Sequence, residues 1–332
     1  MRRRDFIVGA ISVAAASRVA AQPGPNNPRL AIFGPFEPTA LMNERSENRY
    51  YRALFEELRR LGRIEGQNLA VERHGREQNS AGPAALVAEV VRSNPDIIYS
   101  VGPGTMLFKQ ATSKIPIVAL TADPLAIGLI QNLARPGGNI TGVSVDTGYS
   151  IHGKRIALLR EIFPAMSKLG YLTLRIAWES VQGPGMRSAS ETTGVAVISS
   201  LLEPPTSEAT YREAIANVSR DGGNAIMVGD TPDTMTNRAL IVRLVAQAGL
   251  PAMYTSPEYV DAGGLMAYSF DLVELNKRAA ADIDAILRGA NAGDIPFYQT
   301  SKFELSVNLK TAKEVGLTVP ETLLASAVNV IE

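Results

Sequence analysis

The chain has 332 residues, of which 45% are hydrophobic and 20% charged, so its composition predicts two packed domains and excludes a largely disordered protein. Basic and acidic residues number 33 each, and this balance gives no reason to expect a nucleic-acid partner or an anionic membrane surface. The absence of cysteine excludes disulfides, thiolate nucleophiles, iron–sulfur clusters and a lipid-modified cysteine, and two histidines argue against a histidine-rich metal site.

Residues 1–21 have the pattern of a secretory signal peptide. Arg2-Arg3-Arg4 precedes the apolar run Phe6–Ala16, and Val19-Ala20-Ala21 supplies the small residues of a cleavage site. Sec export and twin-arginine export both remain open. The apolar run is too short to span a bilayer, and no later segment reaches the roughly 18 uninterrupted apolar residues that a membrane helix needs. We therefore expect a soluble, monomeric periplasmic protein that begins with a polar lead-in at 22–28.

The first half of the mature chain alternates short apolar runs with amphipathic segments. This alternation predicts right-handed βαβ units and a parallel sheet, which form an N-terminal lobe over residues 29–145. The predicted strands are Arg29–Phe33, Leu69–Arg73, Asp96–Val101 and Ile115–Leu120, and the predicted helices are Glu47–Leu61, Pro83–Ser93 and Met106–Thr112.

The stretch Thr121–Ser144 is predicted to lead out of this lobe. Asp123-Pro124 indicates a turn, Ala126–Leu133 a short helix, and Arg135–Asn139 a second turn before the strand Ile140–Val145. The hinge to a second lobe is then expected at Ser144, Val145 and Asp146.

A second alternating series predicts a C-terminal lobe over residues 146–271. The segment 272–332 is expected to return across the hinge and complete both lobes, with a long helix at Leu272–Arg288 and an extended segment at Lys302–Val307. The predicted fold class is therefore α/β, with two Rossmann-like lobes that contain parallel sheets and are joined by a multi-strand hinge.

In open α/β sheets, ligands bind beyond the carboxyl ends of the strands. The acidic residues at such positions are Asp123, Asp230, Glu258 and Asp271, which can either cap helices or bind an ammonium group. Asp230 is the first choice because it directly follows a strand and a glycine.

Other candidates for ligand contact lie in the same loops. Gly104 and Thr105 open a helix whose free N–H groups suit an anion, although a plain strand-to-helix turn is an equal alternative. Phe36, Trp178 and Tyr259 could stack on a planar solute, with core packing as the competing interpretation. The remaining candidate is Thr121. Arg175 or Arg238 could instead neutralise the acids or bind a carboxylate in a bidentate manner.

Nothing in the sequence favours catalysis. No nucleophile elbow, zinc-protease helix or phosphate-binding loop is present, so we expect neither an enzyme nor a cofactor.

The order and spacing of several motifs resemble the ABC-transporter substrate-binding protein family that includes tryptophan-type and aromatic-amino-acid-type binders. The resemblance implies a type I periplasmic-binding-protein fold, a small solute between two lobes, and a permease and an ATPase as partners. The segment Thr173–Pro184 lacks the asparagine-proline turn expected there, so the resemblance does not carry a ligand identity. The motifs are FEELRRLGRIEG at Phe55–Gly66, Asp96-Ile97-Ile98, Ile115–Val118, Asp123–Ser144, Gly153-Lys154-Arg155, EYVDAGGLM at Glu258–Met266, and Lys302–Leu305 with Gly316-Leu317.

The resulting hypothesis is a periplasmic solute-binding component of an ABC importer, with an amino acid or aromatic compound favoured as solute. Two alternatives remain at this point: an exported ligand sensor without transport, and a periplasmic enzyme that uses cleft carboxylates.

Overall fold

Two β-sheets organise the chain. The structure, a computed structural model, describes residues 27–102, 104–145 and 150–332. The first sheet has the order β11-β5-β4-β3-β1-β2, and all its strand pairs are parallel. Its strands are β1 (Arg29–Phe33), β2 (Ala70–His74), β3 (Ile97–Val101), β4 (Ile117–Thr121), β5 (Ile140–Ser144) and β11 (Tyr298–Gln299).

The second sheet has the order β13-β12-β10-β9-β8-β6-β7. Its strands are β6 (Lys168–Leu174), β7 (Ala196–Leu202), β8 (Ala225–Val228), β9 (Ala252–Tyr254), β10 (Met266–Phe270), β12 (Phe303–Asn308) and β13 (Asn329–Ile331). One pair, β10 with β12, is antiparallel and begins with Phe270 opposite Phe303. The chain enters β12 directly from the carboxyl end of β11, so β12 must start where β10 finishes.

Helices surround both sheets and bury their apolar faces against them. They are α1 (Arg49–Arg60), α2 (Pro83–Ser93), α3 (Gly104–Ala111), α4 (Ser150–Ile162), α5 (Arg175–Ala177), α6 (Gly183–Thr193), α7 (Glu208–Arg220), α8 (Pro232–Thr236), α9 (Arg238–Gln247), α10 (Pro257–Asp261), α11 (Leu272–Leu287), α12 (Leu309–Glu314) and α13 (Glu321–Ser326). A π-helical turn, Trp178–Gln182, connects α5 to α6. This architecture confirms the predicted two-lobed α/β fold.

Neither lobe is continuous in sequence. Helix α11 contributes Leu275, Ala279 and Ile283 to the core beneath β1 and β3, although it follows strands β6 to β10 of the second sheet. Strand β11 also joins the first sheet, whereas β12 and β13 join the second. The chain therefore passes between the sheets three times, after residue 145, between Phe270 and Leu272, and between Gln299 and Phe303.

The predicted helix Ala126–Leu133 is wrong. The segment is a series of turns in which Asp123 Oδ1 accepts the N–H groups of Leu125 and Ala126, and Gly128 adopts a φ of 70°. These local side-chain bonds and the left-handed glycine stop the helix after one turn. The predicted signal peptide and Asp146 lie outside the described residues.

Candidate functional site

A cavity of about 510 Å³ opens between the two sheets, at the carboxyl ends of their strands. The segments after β1, β3 and β5 line one side, together with Leu120 of β4 and helices α1 and α11. The segments after β8 and β9 and the last residues of β10 line the other side, together with α4. Both lobes therefore contribute to one site, at the edge where parallel sheets commonly bind ligands.

The first-lobe wall is mainly aromatic and aliphatic. The Asn48 side chain accepts the N–H groups of Tyr50 and Tyr51, and this cap fixes the first turn of α1 with both tyrosines at the cavity. Tyr99 lies deeper and donates a hydrogen bond to Asn276 Oδ1 at 2.8 Å. The apolar members of this wall are Pro35, Phe36, Tyr50, Tyr51, Tyr99, Val101, Leu120, Val145 and Leu272.

One acid is also part of the first-lobe wall. Burial raises the pKa of Glu37, while Arg76, a hydrogen bond from Asn48 and Arg238 act in the opposite direction. These three neighbours stabilise the ionised form of the Glu37 side chain.

The second-lobe wall carries charged and hydroxyl groups. Its polar members are Arg155, Asp230, Thr231, Thr255, Ser256, Glu258 and Ser269. This set contains one cation and two acids, and its residues come from helix α4 and from the ends of three neighbouring strands.

Asp230 is held by contacts to its backbone and leaves its carboxylate in the cavity. Gln182 Nε2 donates to the Asp230 carbonyl at 2.7 Å, and Gln182 Oε1 accepts from Thr173 Oγ1 at 2.7 Å. A side chain at Gly229 would approach Gln182 to 2.6 Å, so glycine is needed beside this loop. The Asp230 side chain is open to cavity solvent, yet the surrounding protein desolvates it and raises its pKa, with Arg155 opposing that shift.

Four residues join the lobes across the cleft, and we call them the interlobe bridge: Arg49, Tyr50, Glu258 and Glu304. Tyr50 on α1 donates a hydrogen bond to Glu258 Oε1 at 2.5 Å, and Arg49 Nη2 lies 3.2 Å from Glu304 Oε2. Ser256 donates to the second oxygen of Glu258. Burial raises the pKa of Glu304, while Arg49 lowers it. The bridge holds the two walls of the cavity together.

Three hydroxyl groups in the cavity wall are buried without a hydrogen-bond partner among the described residues. They belong to Tyr51, Thr255 and Ser269, whose side chains are at most 6% exposed. Buried hydroxyls are normally paired, because an unpaired one costs about 1–3 kcal/mol. A polar ligand in the cavity would satisfy them.

The structure places Phe36, Asp230 and Glu258 in the cavity wall, together with the expected hinge residue Val145. Ser144 is buried in β5, where its register partners are Thr121 in β4 and Gln299 in β11.

The other sequence candidates lie outside this wall. Gly104 packs against the Phe33 ring, and the Thr105 hydroxyl lies 2.9 Å from that of Ser100. Thr121 is buried in β4, and Asp123 and Asp271 each accept backbone N–H groups, the former in a turn and the latter as the cap of α11.

Two aromatic residues that were predicted to contact the ligand instead pack within the second lobe. The Trp178 ring lies 5.7 Å from Tyr171, and Tyr259 stacks on Tyr254 at 4.8 Å. The alternative cation Arg175 pairs with Glu203 on the surface.

Sequence reasoning missed Tyr50, Tyr51 and Arg155, which lie on helices. It expected the segments that contain Glu37, Thr255 and Ser269 at the ligand-binding edge but did not single out these three residues. Asn48 is a residue type that favours helix N-caps, and its place just before Tyr50 and Tyr51 was an available signal for these two tyrosines. Arg155 belongs to the Gly153-Lys154-Arg155 motif, and its place on a helix gives no sign that it faces the cavity.

The described ranges of the chain contain neither a candidate metal cluster nor a membrane-spanning helix. No group of three or more histidine, cysteine, aspartate or glutamate residues there could hold a metal ion. No helix in those ranges is long and apolar enough to cross a membrane.

Known proteins resemble this chain in sequence and in fold. A Clostridioides difficile tyrosine-binding protein is 23% identical over 261 residues, which cover 77% of this chain and 73% of that protein. The crystal structure of an ABC domain from Streptococcus pneumonia in complex with L-Trp superposes with a TM-score of 0.79 at 21% identity, covering 92% of this chain and 100% of the other.

Two further structures have the same fold. A conserved domain protein from Vibrio cholerae gives a TM-score of 0.79 at 22% identity, covering 92% of this chain and 99% of the other. A ligand-free, open substrate-binding protein with adhesive properties from Clostridium difficile gives 0.69 at 18% identity, with the same coverages. The family described as ABC transporter substrate binding protein matches residues 39–331, and the chain, with its two lobes around one cavity, belongs to that family.

Proposed function

We propose that this protein is the periplasmic solute-binding component of an ABC importer. Its solute is a small organic molecule, with an amino acid or an aromatic compound favoured. The observation that carries the proposal is the pairing of an aromatic wall on one lobe with an ionic wall on the other, around a cavity of about 510 Å³. A volume of this size suits a small organic molecule.

The two walls suggest how such a solute is held. Asp230 supplies an unpaired carboxylate for an ammonium group, and the rings of Phe36, Tyr50 and Tyr99 suit a planar side chain. The tyrosine-binding relative and the L-Trp complex support an amino acid with an aromatic ring.

Transport follows from closure of the lobes around the solute. A solute that contacts both walls stabilises the form in which the interlobe bridge is made, and a permease with its ATPase would recognise that form. The expected signal sequence at 1–21 would deliver the chain to the periplasm.

The test is a thermal-shift screen of residues 22–332 against the common amino acids, aromatic acids and amines. A true solute present in large excess over its Kd should raise the melting temperature by several degrees, because it binds only the folded state. If no small solute raises the melting temperature while one of them is chemically consumed, the protein is an enzyme and the proposal fails.

A further inference from the structure

Arg155 is a buried cation to which the proposed function gives no role. It lies on α4, is 4% exposed and lines the cavity. Its Nε donates a hydrogen bond to the Tyr268 carbonyl at 2.9 Å, and the described residues offer its terminal nitrogens no further hydrogen bond and no carboxylate within 4.0 Å. A guanidinium removed from water without a counter-ion loses solvation that the protein does not restore.

The groups around Arg155 do not provide the missing negative charge. Burial lowers the pKa of His152 to about 4, and the neighbouring Arg155 adds to that shift, so His152 is neutral at pH 7. Burial also lowers the pKa of Arg155, although a guanidinium keeps its proton in proteins. Asp230 interacts with Arg155 at longer range, and Glu258 is already used in the interlobe bridge.

A second donor lies beside this cation. Ser269 follows Tyr268 directly, lines the same cavity and is 3% exposed, and its hydroxyl has no hydrogen-bond partner among the described residues. A carboxylate has two oxygens and can accept from a guanidinium fork and a hydroxyl together. A doubly charged phosphate would instead be repelled by the acids in the same cavity, Glu37, Asp230 and Glu258.

We propose that Arg155 anchors a carboxylate group of the solute, with the Ser269 hydroxyl as a second donor. This inference rests on the proposed function and narrows the class of solute, because the solute must then carry a carboxylate group. Asp230 would then pair with the ammonium and Arg155 with the carboxylate of one amino-acid zwitterion.

Calorimetric titration of the mature chain with two matched pairs of probes tests this. L-tyrosine and L-tryptophan carry the carboxylate, whereas tyramine and tryptamine lack it. We expect the wild-type protein to bind the amino acids at least about 30-fold more tightly than the amines. Arg155→Gln should remove that difference by weakening only the amino acids, and Arg155→Lys should fall between because it keeps the charge without the planar fork.

Arg160→Gln is the matched control, since Arg160 is an exposed arginine on the same helix and should leave all four affinities unchanged. The inference is overturned if wild-type protein binds an amine as tightly as its amino acid, or if Arg155→Gln binds the amino acids as wild type does. The wild-type comparison decides even if the variant does not fold. A wild-type protein that binds an amine alone leaves the proposed function standing, whereas one that binds no solute in the wider screen contradicts both.

Discussion

The wall from the first lobe and the wall from the second lobe rest on the same pattern of parallel strands and flanking helices, yet they carry different side chains. The first presents rings and aliphatic groups, with Glu37, Asn48 and Asn276 as its polar exceptions. The second presents Arg155, Asp230 and several hydroxyls. The fold therefore fixes where the site lies, and the loops divide the recognition of a solute between a surface for its ring and a surface for its charges.

This division predicts that changes in the second-lobe wall affect binding according to the charges of the solute, and that changes in the first-lobe wall affect it according to the ring. Each of the following variants tests one side of the comparison.

Asp230→Asn should have the largest effect. It removes the carboxylate but keeps the shape of the side chain, so an ammonium-bearing solute should lose about 100-fold or more in affinity because its charge is left buried and unpaired. Isothermal titration measures the loss, and the melting temperature of the free protein reports folding. Asp221→Asn, an exposed residue at the end of α7, is the control. An affinity within about threefold of wild type would remove Asp230 from the site.

Phe36→Ala tests the first-lobe wall. The side chain is 43% exposed and lines the cavity, so its loss should weaken an aromatic solute by about tenfold while an aliphatic amino acid changes little. Titration with tyrosine and leucine provides the comparison. Ile176→Ala removes an exposed side chain outside the cavity and should change neither. Equal losses for both solutes would contradict the assignment of ring recognition to this wall.

Tyr50→Phe tests the bridge that joins the walls. It removes the hydrogen bond to Glu258 and keeps the ring, so the closed form loses stability and affinity should fall by about fivefold, mainly through faster dissociation. Stopped-flow fluorescence separates the two rates. Tyr211→Phe is the matched control, because Tyr211 donates to Asp233 within one lobe. A similar change in that control would mean that the effect does not come from the lobe contact.

The smallest expected effect is a dependence of affinity on pH. Burial raises the pKa of Asp230, and Glu258 adds to that shift while Arg155 opposes it. Binding of an ammonium group requires the ionised form, so affinity should fall as the pH drops towards the raised pKa. The same raised pKa means that ionised Asp230 destabilises the ligand-free fold at high pH, and this cost is relieved on acidification. Asp230→Asn should bind weakly at every pH, and an unchanged slope in that variant would assign the titration elsewhere.

The sequence predicted secondary structure best where a local pattern of apolar residues is strong. Fully buried runs such as Ile97–Tyr99 and the period of α1 are visible without tertiary information. The predicted helix at 126–133 failed because bonds from Asp123 and Asn132 to the backbone compete with a helix. Strands β11 and β13 have two and three residues, too few to show alternation.

The position of the candidate site could be predicted in part, because segments that follow strands contribute several residues to the cavity wall. Phe36, Asp230 and Glu258 lie there and line the cavity. Arg155 and Tyr50 come from helices, and whether a helical residue faces the other lobe depends on how the lobes meet. Trp178 follows a strand, but the π-helical turn that begins at Trp178 places its ring against Tyr171.

The three passages of the chain between the sheets have a mechanical consequence. The second and third lie side by side, with the Asp271 N–H bonded to the Lys302 carbonyl at 3.2 Å, and the pairing of β5 with β11 places the end of β5 next to the start of the third. A single connection would let the lobes rotate in any direction, whereas neighbouring connections resist torsion and bend about one line. Opening should therefore be a rotation of one lobe about a single hinge axis. Such a rotation breaks the contacts of the interlobe bridge first and returns the two walls to the same relative position at each closure.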